Sequence, residues 1–283
     1  MEIFKTPKAL RHHLADRRAN LEKIAFVPTM GNLHAGHLSL VRRGLAKADT
    51  VVVSIFVNPL QFGAGEDLAS YPRTLNDDIK QLEAEGAQVV FTPDADTLYP
   101  DGLTAHTKVA VPELAENLCG QRRAGHFDGV TTIVCKLLNL VNPDIALFGE
   151  KDLQQLLLIR KMVEDLAMPV QIEGVATYRA EDGLALSSRN GYLSPSQRAL
   201  APEIYRSLLA IGEAIRGGST EFSRLCKTAA DRLEQQGFEV EYLEARRCQD
   251  LIVAQAGDKD IAIFIAAKLG ATRLIDNLQI NRY

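Results

Sequence analysis

His34 and His37 lie three residues apart in the run Phe26-Val27-Pro28-Thr29-Met30-Gly31-Asn32-Leu33-His34-Ala35-Gly36-His37. At the opening of a helix that spacing puts both imidazoles on one face of the first turn, where unpaired backbone N–H groups and the positive dipole end favour an anion. Such a site suits phosphate. Gly31 and Gly36 would let a ligand approach the main chain closely. Ordinary helix-start histidines are the plainer alternative. A zinc pair is a second one, but zinc-protease helices space their histidines by four with an intervening Glu, and neither feature is present.

Further polar residues sit where strands should end. Asn58 and Gln61 follow the apolar run 50–57, and Gln61 stands between Leu60 and Phe62, where a buried amide needs a partner. Lys151, in Gly149-Glu150-Lys151-Asp152, can neutralise developing phosphate charge at a helix entrance, and Gln155 four residues on shares its face. A plain amphipathic helix start would look the same. Arg122 and Arg123, beside glycines, could clamp phosphate or carboxylate, with a solvated basic loop as the alternative. Ser187-Ser188-Arg189 offers two hydroxyls and a guanidinium for phosphate contacts from a mobile loop. Asp78 and Gln81 are spaced i, i+3 and carry oxygens that suit Mg²⁺, but Asp77 and Asp78 in a first helical turn also stabilise the dipole without any metal.

Alternating strands and helices must position these groups. Thr6-Pro7 opens a first amphipathic helix; strands are expected at 24–27, 50–57, 88–92, 144–148 and 170–175, with helices from Leu38, over 74–86, over 130–141, and from 153 to about 167. Residues 93–128 read mostly as loop. From Ser194-Pro195 the pattern changes to helices near 196–216 and 219–236 and short strands near 238–243, 260–266 and 272–276. The expectation is an α/β domain with a parallel sheet over 1–180 and a smaller α+β domain over 181–283. The segment 62–73, with Gly63 and Gly65, has the composition of a mobile loop.

The 283 residues, 46% of them hydrophobic, are enough for two cores. A net charge of -4 argues against a general nucleic-acid binder. Cys119, Cys135, Cys226 and Cys248 show no CxxC spacing, which fits a reduced, cytoplasmic setting. No run approaches 18 apolar residues and the N-terminus lacks a signal-peptide core, so a membrane partner is not expected.

The HxGH run, a late-junction lysine and a Ser-Ser-Arg loop together resemble the HIGH/KMSKS nucleotidyltransferase superfamily, which implies a Rossmann-like sheet. PTMGNLHAGH, FVNPLQF, GHFDGV, FGEKDLQQ and DGLALSSRN, in that order and followed by Thr272-Arg273-Leu274-Ile275-Asp276-Asn277, are similar to the pantothenate synthetase (pantoate–β-alanine ligase) family over essentially the whole chain. The resemblance implies that ATP and pantoate give a pantoyl adenylate and pyrophosphate, that the amine of β-alanine then displaces AMP, that Mg²⁺ accompanies ATP, and that the enzyme is a homodimer. It puts Met30, Gly31, Asn32, Leu33, His34, Ala35, Gly36 and His37 against ATP, with His37 as proton donor. Gly149, Glu150, Lys151, Asp152, the backbone of Tyr178, and Leu186, Ser187, Ser188 and Arg189 are implied as further ATP contacts. Lys151 and Arg189 then supply positive charge, since the 186–189 counterpart of KMSKS has no lysine. Gln61 and Gln155 would hold pantoate, with Gln61 also facing β-alanine, and Asn58 and Arg123 are candidates beside them. The same resemblance makes Asp77, Asp78 and Gln81 candidates for the metal. A different transferase of this superfamily and a nucleotide-binding module without turnover are the alternatives. The paired Gln61 and Gln155 speak against the first, and the retained donors against the second.

Overall fold

The structure, a computed structural model, describes residues 1–63 and 65–282. Among the described residues, β1 (Glu2–Phe4), β2 (Ile24–Thr29), β3 (Thr50–Ile55), β4 (Val89–Phe91), β5 (Ile145–Gly149) and β6 (Gln171–Val175) form one sheet in the order β1-β4-β3-β2-β5-β6. Every pairing in it is parallel. β-Branched runs make the central strands: Val51, Val52 and Val53 are fully buried, as a strand covered on both faces requires. The Rossmann-like reading holds. β1 escapes the sequence pattern because three residues at a sheet edge carry too short a period to read.

The helices of this sheet are α1 (Pro7–Ala19), α2 (Ala35–Leu45), α3 (Leu75–Glu85), α4 (His126–Val141) and α5 (Leu153–Asp165). Thr6 caps α1 with Pro7 at its first position, and Gly86 ends α3 at φ 87°, a left-handed cap that glycine adopts without a Cβ penalty. α4 starts at His126, four residues before its apolar run, behind an N-cap, Gly125, that has φ 76° and gives no side-chain cap. The stretch expected as loop also contains short helical segments, Ala95–Leu98, Pro112–Ala115 and Leu118–Arg122.

The chain clusters into two compact units. The first is Met1–Glu116, Gly120–Glu150 and Gln155–Ala176; the second takes Asn117–Cys119, Lys151–Gln154 and the chain from Thr177 onward. In the second unit α6 (Glu203–Arg216) and α7 (Phe222–Gln235) accompany an antiparallel sheet, β7 (Phe238–Arg247), β8 (Asp260–Leu269) and β9 (Thr272–Asn281), in that order. Leu208, Ile211, Leu233, Ile263 and Ile265 fill its core. The helix expected over 196–216 is broken: Pro195–Leu200 stands apart from α6, and Pro202 occupies the junction. The three strands run three to five residues past their expected ends.

Candidate active site

At β2 the order of strand addition reverses, with β3 and β4 laid down on one side and β5 and β6 on the other. Such a switch point is where open parallel sheets gather ligands, beyond the carboxyl ends of the strands. Because β3, β2 and β5 are adjacent, segments 30–37 and 58–61 and residue Gly149 all leave the same sheet edge.

The turn after β2 is shaped by Asp78 on α3. Gly31 has φ 81° and Asn32 φ 51°. A Cβ at Gly31 would stand 3.0 Å from both Asp78 Oδ2 and Ile55 Cγ2, so conformation and space each require glycine there. The Asp78 side chain is almost wholly buried. It accepts the backbone N–H of Asn32 at 3.0 Å and of Leu33 at 2.8 Å, while the Thr74 hydroxyl donates to its two oxygens at 3.2 and 3.3 Å. Asp77 is exposed and pairs with Lys80 at 3.1 Å. Among the described residues no group of three or more His, Cys, Asp or Glu could hold a metal ion. Of the Asp77, Asp78 and Gln81 trio, the Asp78 carboxylate is engaged in folding the turn and the Asp77 carboxylate in its pair with Lys80.

His34 is the N-cap of α2 and His37 its third residue. The Gly36 N–H donates to His34 Nδ1 at 3.1 Å, and the His34 N–H donates to His37 Nδ1 at 3.3 Å, a reciprocal capping box built from imidazoles. The rings lie 4.1 Å apart, centroid to centroid. An accepting Nδ1 carries no proton, so each neutral ring bears its N–H on Nε2. This corrects the expected picture of open backbone N–H groups. The N–H groups of Asn32, Leu33, His34 and Gly36 are all engaged within the protein, and the donors that the motif offers are the imidazole edges.

Gln61 ends a short 3-10 turn, Pro59–Gln61, capped by Asn58. Its Nε2 contacts Met30 Sδ at 2.8 Å, which joins the turn to the HxGH segment. Asn58 is 1% exposed with both amide atoms engaged: Nδ2 donates to Gly129 O and Gln61 Oε1, and Oδ1 accepts the Tyr99 hydroxyl at 3.0 Å. It positions Gln61. Arg123 departs from expectation in the same way. Its guanidinium holds Glu66 bidentately at 2.7 and 2.5 Å, meets His126 Nε2 at 2.9 Å and reaches the Gln61 carbonyl at 3.3 Å, so the carboxylate it clamps belongs to its own chain. His126 Nδ1 donates to the same carbonyl at 2.7 Å. Gly129 completes the mount, since a Cβ there would come within 2.3 Å of Leu60 O. The sequence reading missed these roles of His126, Gly129 and Glu66, although GHFDGV was the signal that could have found two of them. Glu66 lies in the glycine-bearing 62–73 segment, of which residue 64 falls outside the described residues.

The remaining candidates divide by unit. Gln155 is half-buried on α5, and a Cβ at Gly149 would meet open space. In the second unit, Lys151 Nζ lies 3.7 Å from the half-exposed Asp152 carboxylate, and the Lys151 carbonyl accepts the Asn277 amide at 2.9 Å. Ser187 Oγ caps the turn Ser188–Tyr192 by accepting the Arg189 N–H at 3.3 Å, and the Leu186 N–H donates to the Tyr178 carbonyl at 3.0 Å. The Tyr178 carbonyl is thus engaged within the loop, and its ring is exposed.

A family model described as pantoate-beta-alanine ligase matches residues 2–279. The chain belongs to this family. It is similar to the pantothenate synthetase of Pseudomonas entomophila, 55% identical over 281 residues that cover 99% of this chain and 98% of the relative. The pantothenate synthetase of a Pseudomonas aeruginosa strain is 54% identical, with 99% of each chain covered. Among solved structures, pantothenate synthetase from Thermus thermophilus superposes with a TM-score of 0.92 at 43% identity, covering 98% of this chain and 99% of that one. The Francisella tularensis pantoate-beta-alanine ligase, complexed with beta-gamma ATP and beta-alanine, does so with a TM-score of 0.82 at 34% identity over 98% of this chain and 97% of that one. The protein is a ligase of the pantoate–beta-alanine ligase family, with that family's fold over nearly its whole length.

Proposed function

We propose that this enzyme condenses pantoate with β-alanine at the expense of ATP in two steps. A pantoate carboxylate oxygen attacks the α-phosphorus of ATP, the bond to the bridging oxygen breaks, and pyrophosphate departs with the electron pair. The β-alanine nitrogen then attacks the acyl carbon of the pantoyl adenylate, the bond to the AMP oxygen breaks, and the ammonium loses a proton as the amide forms.

The observation that carries this reading is the imidazole pair at the switch point, with each Nδ1 accepting from the backbone. A carboxylate meeting a triphosphate brings anions together, and the transition state gathers charge on α-phosphoryl oxygens and on pyrophosphate. His34 and His37, with N–H on Nε2, donate to those oxygens, His37 standing where the family's proton donor is implied. Segment 30–36 lies along the nucleotide, with Gly149, Glu150, Lys151 and Asp152 as further contacts. Lys151 and Arg189 bring positive charge; Ser187, Ser188 and the backbone at Leu186 contribute donors, and Tyr178 contacts adenine through its backbone. Gln61 and Gln155 hold pantoate, and Gln61 also faces β-alanine. Mg²⁺ enters as a companion of ATP, and no side chain of this chain is assigned to it. The four cysteines are all unbridged, which supports a cytoplasmic setting, and no helix among the described residues is long and apolar enough to cross a membrane. The homodimer rests on family resemblance alone, and light scattering of the purified protein checks it.

Labelling the pantoate carboxylate with ¹⁸O tests the chemistry. Attack at the α-phosphorus delivers one labelled oxygen to AMP. Label in inorganic phosphate, with ADP as co-product, would replace the adenylate with an acyl phosphate.

A further inference from the structure

Strand β9 carries two consecutive buried polar residues, Asp276 and Asn277, at 4% and 6% exposure. Neighbours on a strand face opposite ways, so burying both requires partners on both sides of the sheet. Asp276 receives Arg179 bidentately, at 2.6 Å on Oδ2 and 2.9 Å on Oδ1, and its Oδ1 also accepts the Asn277 N–H at 2.8 Å. Burial pushes the Asp276 carboxyl up against the pull of Arg179, the Asn277 N–H and the Lys151 charge. Arg179 in turn donates to the Gly183 carbonyl at 3.1 Å and stacks over the Tyr205 ring at 3.6 Å. It also forms a β-bridge with Ala185, whose carbonyl accepts the Asn190 amide at 3.0 Å. On the other side, the Asn277 side chain donates to the Lys151 carbonyl at 2.9 Å. Every residue in this chain of contacts belongs to the second unit.

We propose that Asp276 and Asn277 are positioning residues. Asn277 fixes the peptide that carries Lys151, and Asp276, through Arg179, fixes the 183–190 loop that carries Ser187, Ser188 and Arg189. Two phosphate-directed segments far apart in sequence are thereby registered to one rigid strand. The inference rests on the reading of Lys151 and Arg189 as ATP contacts. Rigid mounting of a charged donor matters because a displacement of about 1 Å in a positioned group can cost roughly a hundredfold in rate. Asn277 is the sharper handle, since a carboxylate of the same size cannot donate to the Lys151 carbonyl.

The test is a double-mutant cycle on pyrophosphate release from ATP and pantoate, with kcat and KM for ATP measured separately. Asn277→Asp and Asn277→Ala should each lower kcat by roughly ten- to a hundredfold, measured at a temperature where circular dichroism shows the variant folded. In a Lys151→Ala background the same substitutions should add little, because the group they position is gone. Asn277→Asp preserves volume and keeps the test alive if Asn277→Ala does not fold. Full activity in Asn277→Asp, or losses that multiply with Lys151→Ala, would overturn the proposal. A Lys151→Ala enzyme within tenfold of wild type would instead sink the reading of Lys151 on which the proposal stands, and with it the proposal.

Discussion

At the scale of single residues, each candidate side chain has two ends, and the structure shows what the inner end does. His34 and His37 hold the backbone through Nδ1, which fixes the proton on Nε2 and turns two ambivalent rings into donors. Removing one transition-state donor of this kind costs roughly 10²–10³ in turnover. His37→Ala and Lys151→Ala should each lose activity on that scale in a steady-state assay, and a rate within tenfold of wild type would remove the residue from the machinery. His37→Ala should also melt slightly earlier than Lys151→Ala, because it opens half of the capping box. The chemistry-bearing residue types were legible in the sequence because HxGH and Gly149-Glu150-Lys151 are local patterns. What Arg123 holds was not legible, for the opposite reason. Its partner, Glu66, lies 57 residues upstream in a loop whose course no local pattern reveals.

Among elements, two mounts carry the site. Asp78 ties α3 to the turn after β2, and three donors converge on its buried carboxylate. Asp78→Asn turns one oxygen into an NH₂ group facing an N–H or O–H donor, and should destabilise the protein by about 1–3 kcal/mol, with a raised KM for ATP, in thermal melts and kinetics. Gly129 lets the first turn of α4 lie against Leu60 and Gln61. Gly129→Ala should raise the KM for pantoate far more than that for ATP, since it displaces the turn that presents Gln61. The Glu66–Arg123 pair pins the 62–73 segment to the same mount. Burial alone would raise the Glu66 carboxyl, but the Arg123 guanidinium outweighs it and, with the Gly63 backbone hydrogen bond, holds it below the usual range. A depressed carboxylate contributes stability above its unfolded value, near pH ~4.3, and loses it as pH falls through the folded value. Wild type should therefore melt above Glu66→Gln at about pH 7, with the gap closing below about pH 4; a gap independent of pH would show that the pair does not stabilise by charge. Strand and helix types were readable from apolar period, whereas these mounts join segments tens of residues apart and were not.

For the whole molecule, the parallel sheet and the second α+β unit were both foreseen from the change of pattern near residue 190. The placement of Lys151–Gln154 in the second unit was not, because chain continuity with β5 hides it. Burial also governs the thiols. It pushes Cys226 and Cys248 each up to about 11, so both should resist alkylation at about pH 8 in the native enzyme and react only on unfolding, a difference that intact-mass measurement reads directly. The central claim, two-step ligation through an enzyme-bound adenylate, is tested most directly by following pyrophosphate from enzyme, ATP, Mg²⁺ and pantoate with β-alanine withheld. The expected result is a stoichiometric burst of pyrophosphate, with AMP and pantothenate appearing only once β-alanine is added. Pyrophosphate that forms only when β-alanine is already present would contradict the separate adenylation step.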